Sequence, residues 1–276
     1  MTRKHYSFTA GVPPMCDAGS AWNQAYMGTT GQSYPYSFNV FAFGNISGIQ
    51  DAQGPIAAGG SVNLSSFSVN GMGQQAVGLV SDGSLTLSNG KVGGAIFYGS
   101  AKNVDDTVTY DKDNISQQKP INFVTARTTL QGMSQALKGY PANGTKNTHN
   151  RNLALTSGSP DLNVFSISSD DLSQAYSVTL TVPSGSTVLI NVGGKNVQIA
   201  NAGFNVSGQD LHKILWNFYE AVSVKMTSIT FPGSVLAPYA QVNLSWGNMN
   251  GTLVADTVVS TAEFHQFQFQ FGKLGL

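Results

Sequence analysis

Four histidines, His5, His149, His212 and His265, are the only imidazoles in this 276-residue chain, and no two have the spacing of a helical or hairpin metal pair. With a single cysteine, Cys16, a zinc site lacks its usual sulfur ligands. The triplet Glu263-Phe264-His265 places a carboxylate and an imidazole on one face of a strand, the base half of a catalytic or metal site, but it has no partner nucleophile. Carboxylates gather at Asp105-Asp106, at Asp111-Lys112-Asp113-Asn114 and at Asp170-Asp171. Such oxygen-rich runs can hold calcium, yet none continues into the glycine and distal glutamate of a helix-loop-helix calcium loop, so they read as solvated loops. Val92-Gly93-Gly94 and Val192-Gly193-Gly194-Lys195 are fragments of a phosphate loop without its full pattern, and read as tight turns. No catalytic, metal or cofactor-binding residue is assigned, no cofactor is expected, and the chain is expected not to be an enzyme.

Two other patterns suggest contact surfaces. Hydroxyl residues alternate at Ser84, Thr86 and Ser88 and again at Thr179 and Thr181, as outward positions of a flat strand face would. Regular hydroxyl faces suit ice or polysaccharide, because their spacing follows the backbone and needs no pocket. Near the C-terminus, Phe267, Phe269 and Phe271 share one side of an expected strand, and an edge strand there would be open to pairing with another chain. Together with Cys16, either a free thiol or a link between two chains, these phenylalanines are the candidate assembly contacts.

Composition limits what such surfaces can meet. Only 10% of residues are charged, against roughly 25% in an average globular domain, and the 14 Lys and Arg balance the 14 Asp and Glu. There is no basic footprint for nucleic acid or an anionic membrane. No apolar run approaches the ~18 residues of a membrane span, and no apolar stretch at the N-terminus resembles a secretory segment. The expected partners are therefore a second copy of the chain, or extracellular matrix or glycan, with no membrane insertion.

The elements that would carry these surfaces are mostly strands. Residues 1–35 lack a sustained period and read as an arm or cap, leaving 36–276 as one domain. From Tyr36 to Phe43 apolar side chains occupy both faces of an alternating run, the mark of a buried strand. A loose repeat of roughly 16 to 24 residues follows. In it Ile56, Val80 and Val235 are expected to point inward, each followed by a second inward pair: Val62 and Leu64, Leu85 and Leu87, Val242 and Leu244. Repetition alone leaves both a stacked solenoid and a β-sandwich open.

One segment departs from this rhythm. Phe123, Ala126, Leu130, Met133 and Leu137 recur at helical spacing, with Pro120 in an expected first turn and Gly139 and Pro141 as the stop. Its polar opposite side should face water while the apolar side lies on the β body. Asp210 to Phe218 fits either a second helix or a strand.

Taken together, several segments resemble the bacterial choice-of-anchor A domain family. They are Phe38-Asn-Val-Phe-Ala-Phe-Gly44 with Gln53-Gly-Pro-Ile-Ala-Ala-Gly-Gly60, Ile121-Asn-Phe123, Tyr140-Pro-Ala-Asn-Gly-Thr145, Leu162-Asn-Val-Phe165, Ser186 to Val192, Leu215-Trp-Asn-Phe218, Phe231 to Pro238, and Gly251 to Ala255 with Glu263-Phe-His265. The second half is also similar to the ice-binding β-helix fold. The resemblance implies a mainly-β, right-handed β-helix with one long α-helix packed alongside, and makes Leu215 to Phe218 a strand. It also implies a non-enzymatic, extracellular or cell-surface role in adhesion or self-assembly, a fibre subunit among the forms, with ice binding by a flat face as the alternative and polysaccharide chemistry as a remote third.

Overall fold

The computed structural model describes residues 38–270 and Leu274. Nearly all of its strand pairs are parallel and join segments one coil apart: Val40 faces Ile56, Ile56 faces Leu79, and Ile96 faces Ile115. A coil runs from 15 residues (Asn248 to Glu263) to 27 (Val197 to Val224). The chain is thus a β-solenoid, as expected, and crossovers between parallel strands take the right-handed sense as a rule.

Each full coil has three sides. The first, the helix face, stacks Leu162–Ser168, Thr187–Gly193, Ile214–Asn217, the start of Ser234–Ser245, the start of Leu253–Ser260, Val40–Ala42, Ile56–Ala58, Val77–Ser81, Ala95–Tyr98 and Ile115–Gln117. The second, the ladder face, runs from Asn196–Ala200 through Ser223–Thr227, 241–245, 257–260, Ile46–Ser47, 62–65 and 85–88 to Lys102–Val104. The third face stacks Thr230–Pro232, Asn248–Asn250, Glu263–His265, Asp51–Ala52, 67–69, 90–92 and Val108–Thr109. Below it lies a separate four-stranded sheet of Thr145–His149, Asn152–Thr156, Ser177–Thr181 and Gly203–Asn205.

The stacking order is not the chain order. Val40 lies between Ile56 on one side and Leu253 on the other, so the first described coil sits in the middle of the stack. From there the chain climbs to Ile115–Gln117 at the upper end and returns down the outside. It restarts at Leu162–Ser168 at the lower end and climbs back until Leu253–Ser260 closes on Val40–Ala42. The return is made by 118–122 and by helix α1, Phe123–Lys138. Sixteen residues make a helix of about 24 Å, close to five rungs at about 4.8 Å. Its ends match that span: Phe123 stacks on Phe41 with ring centroids 5.1 Å apart, and the Leu137 carbonyl accepts from Asn191 Nδ2 at 2.9 Å.

Two apolar layers result. The interior column of the helix face runs Phe165, Ile190, Trp216, Val235, Leu253, Val40, Ile56, Leu79, Ile96, with one aliphatic or aromatic side chain per rung. The outward side of the same strands carries Leu236, Val254, Phe41, Ala57, Val80 and Phe97, buried beneath α1 and its approach with Ile121, Phe123, Ala126, Leu130, Met133 and Leu137. This is why 38–43 read as apolar on both faces. Val80 belongs to this outer layer, and Leu79 takes the interior place expected for it, because the register shifts between Val77 and Leu79.

The helix keeps its five predicted buried residues. Its first turn starts at Phe123, so Pro120 lies before the helix rather than in its first turn; Asn122 is the cap, accepting from Thr125 N at 3.0 Å, and Gly139 stops the helix as expected, in the right-handed region. A polar pin holds it on the sheet. Asn217, fully buried, donates to the Ser134 carbonyl at 2.9 Å and to Asn191 Oδ1 at 2.8 Å, and accepts from Ser134 Oγ at 2.6 Å. The ambiguous segment divides: Leu211–Lys213 is a short 3-10 turn capped by Asp210, and Ile214–Asn217 is a strand.

Both ends of the stack are blunted. At the lower end the antiparallel strand Thr145–His149, exposed throughout, and the short helix α2, Ser169–Ser173, close the last coil, tied by the Lys146–Asp171 ion pair. At the upper end the turns around Asp105, Asp106, Asp111, Lys112 and Asp113 put charge beside the open rung. Charged, interrupted edges of this kind discourage strand pairing with another molecule.

Candidate binding faces

The ladder face is built by simple alternation. Val197, Val224, Val242, Val258, Ile46, Val62 and Leu85 stack inward in register. Their neighbours in sequence therefore point out, and form a central column of Gln198, Lys225, Asn243, Val259, Ser47, Asn63, Thr86 and Asn103. Flanking columns include Asn196, Ser223, Gln241 and Thr257 on one side, and Thr227 with Ser245, or Ser65 with Ser88, on the other. Thr227 Oγ1 lies 3.4 Å from Ser245 Oγ, bridging adjacent rungs. Rungs repeat at about 4.8 Å, and outward residues along a strand at roughly 6.6 Å. The face is thus a two-dimensional array of amides and hydroxyls. Lys225 is the one charged side chain in its central column.

The hydroxyl pattern seen in the sequence lies on two surfaces. Ser84, Thr86 and Ser88 are on the ladder face, whereas Thr179 and Thr181 are in the separate four-stranded sheet. Sequence reading missed the larger array because most of its members are Asn, Gln and Ser from coils of unequal length. Only the register brings them into line.

The third face is different. Its outward column runs Thr230, Asn248, Glu263, Asp51, Ser68, Lys91, Thr109, with two carboxylates on adjacent rungs in its middle and a lysine two rungs beyond them. Glu263 and His265 do share a strand face, with His265 Nε2 3.5 Å from Glu263 Oε2, and His265 Nδ1 is 2.7 Å from Asn250 Oδ1. The imidazole is thus held by a carboxylate and a carboxamide. Among the described residues no group of three or more His, Cys, Asp or Glu is placed to hold a metal.

Where this face meets the separate sheet, Gly203–Asn205 and Thr230–Pro232 are neighbours without a ladder between them. The break opens a cleft of about 550 Å³ lined by Phe204, Leu211, Ile229, Thr230, Trp246 and Asn250 among others. Phe204 is backed by Trp216 and Phe231, with ring centroids 5.1 to 5.9 Å apart.

The C-terminal strand ends at His265, short of the phenylalanines expected to extend it. Beyond it the chain turns down the stack: His212 Nδ1 meets the Gln268 carbonyl at 2.9 Å, and Gln270 N donates to the His212 carbonyl at 2.6 Å. Phe267 packs on the His212 ring with centroids 5.4 Å apart, and Phe269 is only 6% exposed, in the outer apolar layer with Leu274. Cys16, Phe271 and the arm 1–35 lie outside the described residues. No helix among the described residues is long and apolar enough to cross a membrane.

No curated protein matches the chain by sequence. Among solved structures it is similar to an ice-binding protein of Shewanella frigidimarina, with TM-score 0.43 and 14% identity over 92% of this chain and 98% of that chain. It is also similar to a glycosylated ice-binding protein from an Arctic yeast, with TM-score 0.40 and 12% identity over 83% and 90%. An ice-binding protein from an Antarctic biological consortium gives TM-score 0.40 and 12% identity over 95% and 96%. Residues 36–266, nearly the whole described solenoid, match the family model described as "Putative Ice-binding-like adhesive domain", and the chain belongs to that family.

Proposed function

We propose that the chain is a non-enzymatic, extracellular adhesive module that lays its ladder face against an extended, uncharged, repeating polymer surface, a neutral polysaccharide. The observation that carries this reading is the register of the central column. Eight rungs present amides, hydroxyls, one valine and one lysine on an otherwise continuous open strand face. A flat array gains little from any single contact and depends on many weak ones aligned at once, the arithmetic of multivalent binding. The family description supports adhesion, and the choice-of-anchor A likeness belongs to the same reading. Self-assembly is best served by sides rather than ends, since both ends of the stack are blunted.

Ice is the second reading, favoured by the strict backbone spacing of the array and by the ice-binding-like family. One pair of measurements separates the two. Retention on insoluble cellulose, chitin and starch is compared with inhibition of ice recrystallisation, using the wild type and the double variant Asn63→Glu/Asn243→Glu. Both sites are on the central column, so two added carboxylates should abolish whichever activity the face supports while far-UV circular dichroism stays unchanged. Undiminished binding by the double variant would remove the ladder face from the function.

A further inference from the structure

The corner between the ladder face and the third face is turned, coil after coil, by a residue in the left-handed region. In three consecutive rungs these are Asn201 (φ 52°), Ser228 (φ 54°) and Trp246 (φ 55°), and higher up Ser66 (φ 56°) and Asn89 (φ 48°) do the same. Asn and Ser are small or bond locally to their own backbone, so they tolerate this conformation. A bulky side chain there is an outlier, because its Cβ crowds the backbone carbonyl. Trp246 is nevertheless placed there and left 74% exposed. It stands at the lip of the cleft that opens where the third face is interrupted. A strained, solvent-facing indole beside a cleft is the kind of outlier from which function is inferred.

The lining says what the cleft would take. Every residue that forms it is uncharged. Phe204 and Trp246 supply aromatic faces, and Ser228, Thr230 and Asn250 supply hydroxyls and an amide. Because Asn250 Oδ1 is engaged by His265, its Nδ2 is left as a donor. An organic cation would look for aromatic faces too, but no carboxylate lines the cleft to balance its charge. A ligand with apolar C–H faces, hydroxyl edges and no net charge fits these groups, and the volume falls within the roughly 300–1,000 Å³ of small-ligand sites.

We infer that this cleft is a binding site for a neutral saccharide unit, with Trp246 as its stacking platform. The site is separate from the ladder face and does not depend on it: one would grip a short saccharide or chain end, the other an extended surface. The test is titration of the full chain with cellotriose, chitotriose and maltotriose, followed by the Trp246 indole N–H resonance and by calorimetry. At least one trisaccharide should shift that resonance and give saturable heat. Trp246→Ser, which restores the residue type of the adjacent rung, should weaken binding by about tenfold or more, as loss of an aromatic contact does, without lowering Tm. Trp246→Phe should recover part of the affinity, and Asn63→Glu/Asn243→Glu should leave it intact. No shift with any trisaccharide at millimolar concentration would overturn the inference. So would equal affinity in Trp246→Ser, or a quaternary ammonium probe that binds the cleft more tightly than the sugars do.

Discussion

Asn217 offers the sharpest test of how the returning helix is held in register. Its carboxamide is fully buried and joins Ser134 of α1 to Asn191 one rung below, through three hydrogen bonds of 2.6 to 2.9 Å. In Asn217→Ala, the Ser134 hydroxyl loses its acceptor and Asn191 Oδ1 loses its donor. Each stranded buried group costs about 1–3 kcal/mol, so the variant should lose roughly 2–6 kcal/mol. At about 2–4 °C per kcal/mol for a domain approaching this size, Tm should fall by roughly 4–24 °C. Urea unfolding followed by Trp fluorescence and far-UV circular dichroism measures it directly.

The control is the triple variant Ser134→Ala/Asn191→Leu/Asn217→Leu, which removes every partner at once. Leu236 and Val254 occupy the next two rungs of the same outward column, so leucine has a precedent there. The Leu137 carbonyl, which loses Asn191 Nδ2, keeps the Tyr140 N–H at 3.2 Å. Removing both sides of a buried polar contact is close to neutral when shape is kept, so the triple variant should recover most of the loss. A cost below about 1 kcal/mol for Asn217→Ala, or a triple variant no better than the single one, would refute this account of the pin.

Other outcomes follow from single positions. A Cβ added at Gly132 meets nothing within 4 Å, so Gly132→Ala should raise stability by about 1 kcal/mol in denaturant unfolding. A Cβ at Gly99 would come within 1.8 Å of the Asp82 carbonyl oxygen, so Gly99→Ala should cost more than about 2 kcal/mol or yield little folded protein. Burial of Asp171 opposes its ionisation, but hydrogen bonds from Lys146 and Ser168 outweigh this and hold its carboxyl below the usual range. The stabilisation is therefore present above the ordinary carboxylate pKa and lost as pH falls through the lowered one. The Tm gap between wild type and Asp171→Asn should be widest near neutrality and close in acid. Leu79→Ala, in the interior column, should cost about 2–5 kcal/mol in the same unfolding assay.

Much of the architecture was legible because solenoid physics writes itself into local pattern. Phe41 and Phe43 opposite Val40 and Ala42 announced a strand apolar on both sides, and the 3-and-4 spacing of Phe123 to Leu137 announced the helix that covers it. Val80 was placed one residue off because an irregularity in register at Val77 cannot be seen in alternation. The strand through Phe267 and Phe269 failed for a different reason: aromatic alternation fits an extended tail that packs sideways as well as it fits a paired strand. The binding array was hidden almost completely. Gln198, Asn243, Asn63 and Thr86 are scattered by coils of unequal length, and nothing short of the pairing itself puts them in one column. Trp246 was equally silent, since its oddity lies in being the one large residue in a series of corner positions.

The seam between Val40–Ala42 and Leu253–Ser260 has a mechanical meaning. Asn39 Nδ2 donates to the His265 carbonyl at 3.2 Å, so the points where the chain enters and leaves the stack lie side by side at mid-height. Tension between residues 38 and 265 would load this junction first, while the cap at either pole carried none of it. The two half-columns would part at their shared rung before any other coil peeled. An adhesive domain wired in this way has its fuse at the waist, and the length of chain stored behind it, more than 200 residues from Val40 to Leu253, would be released only after that rung gave way.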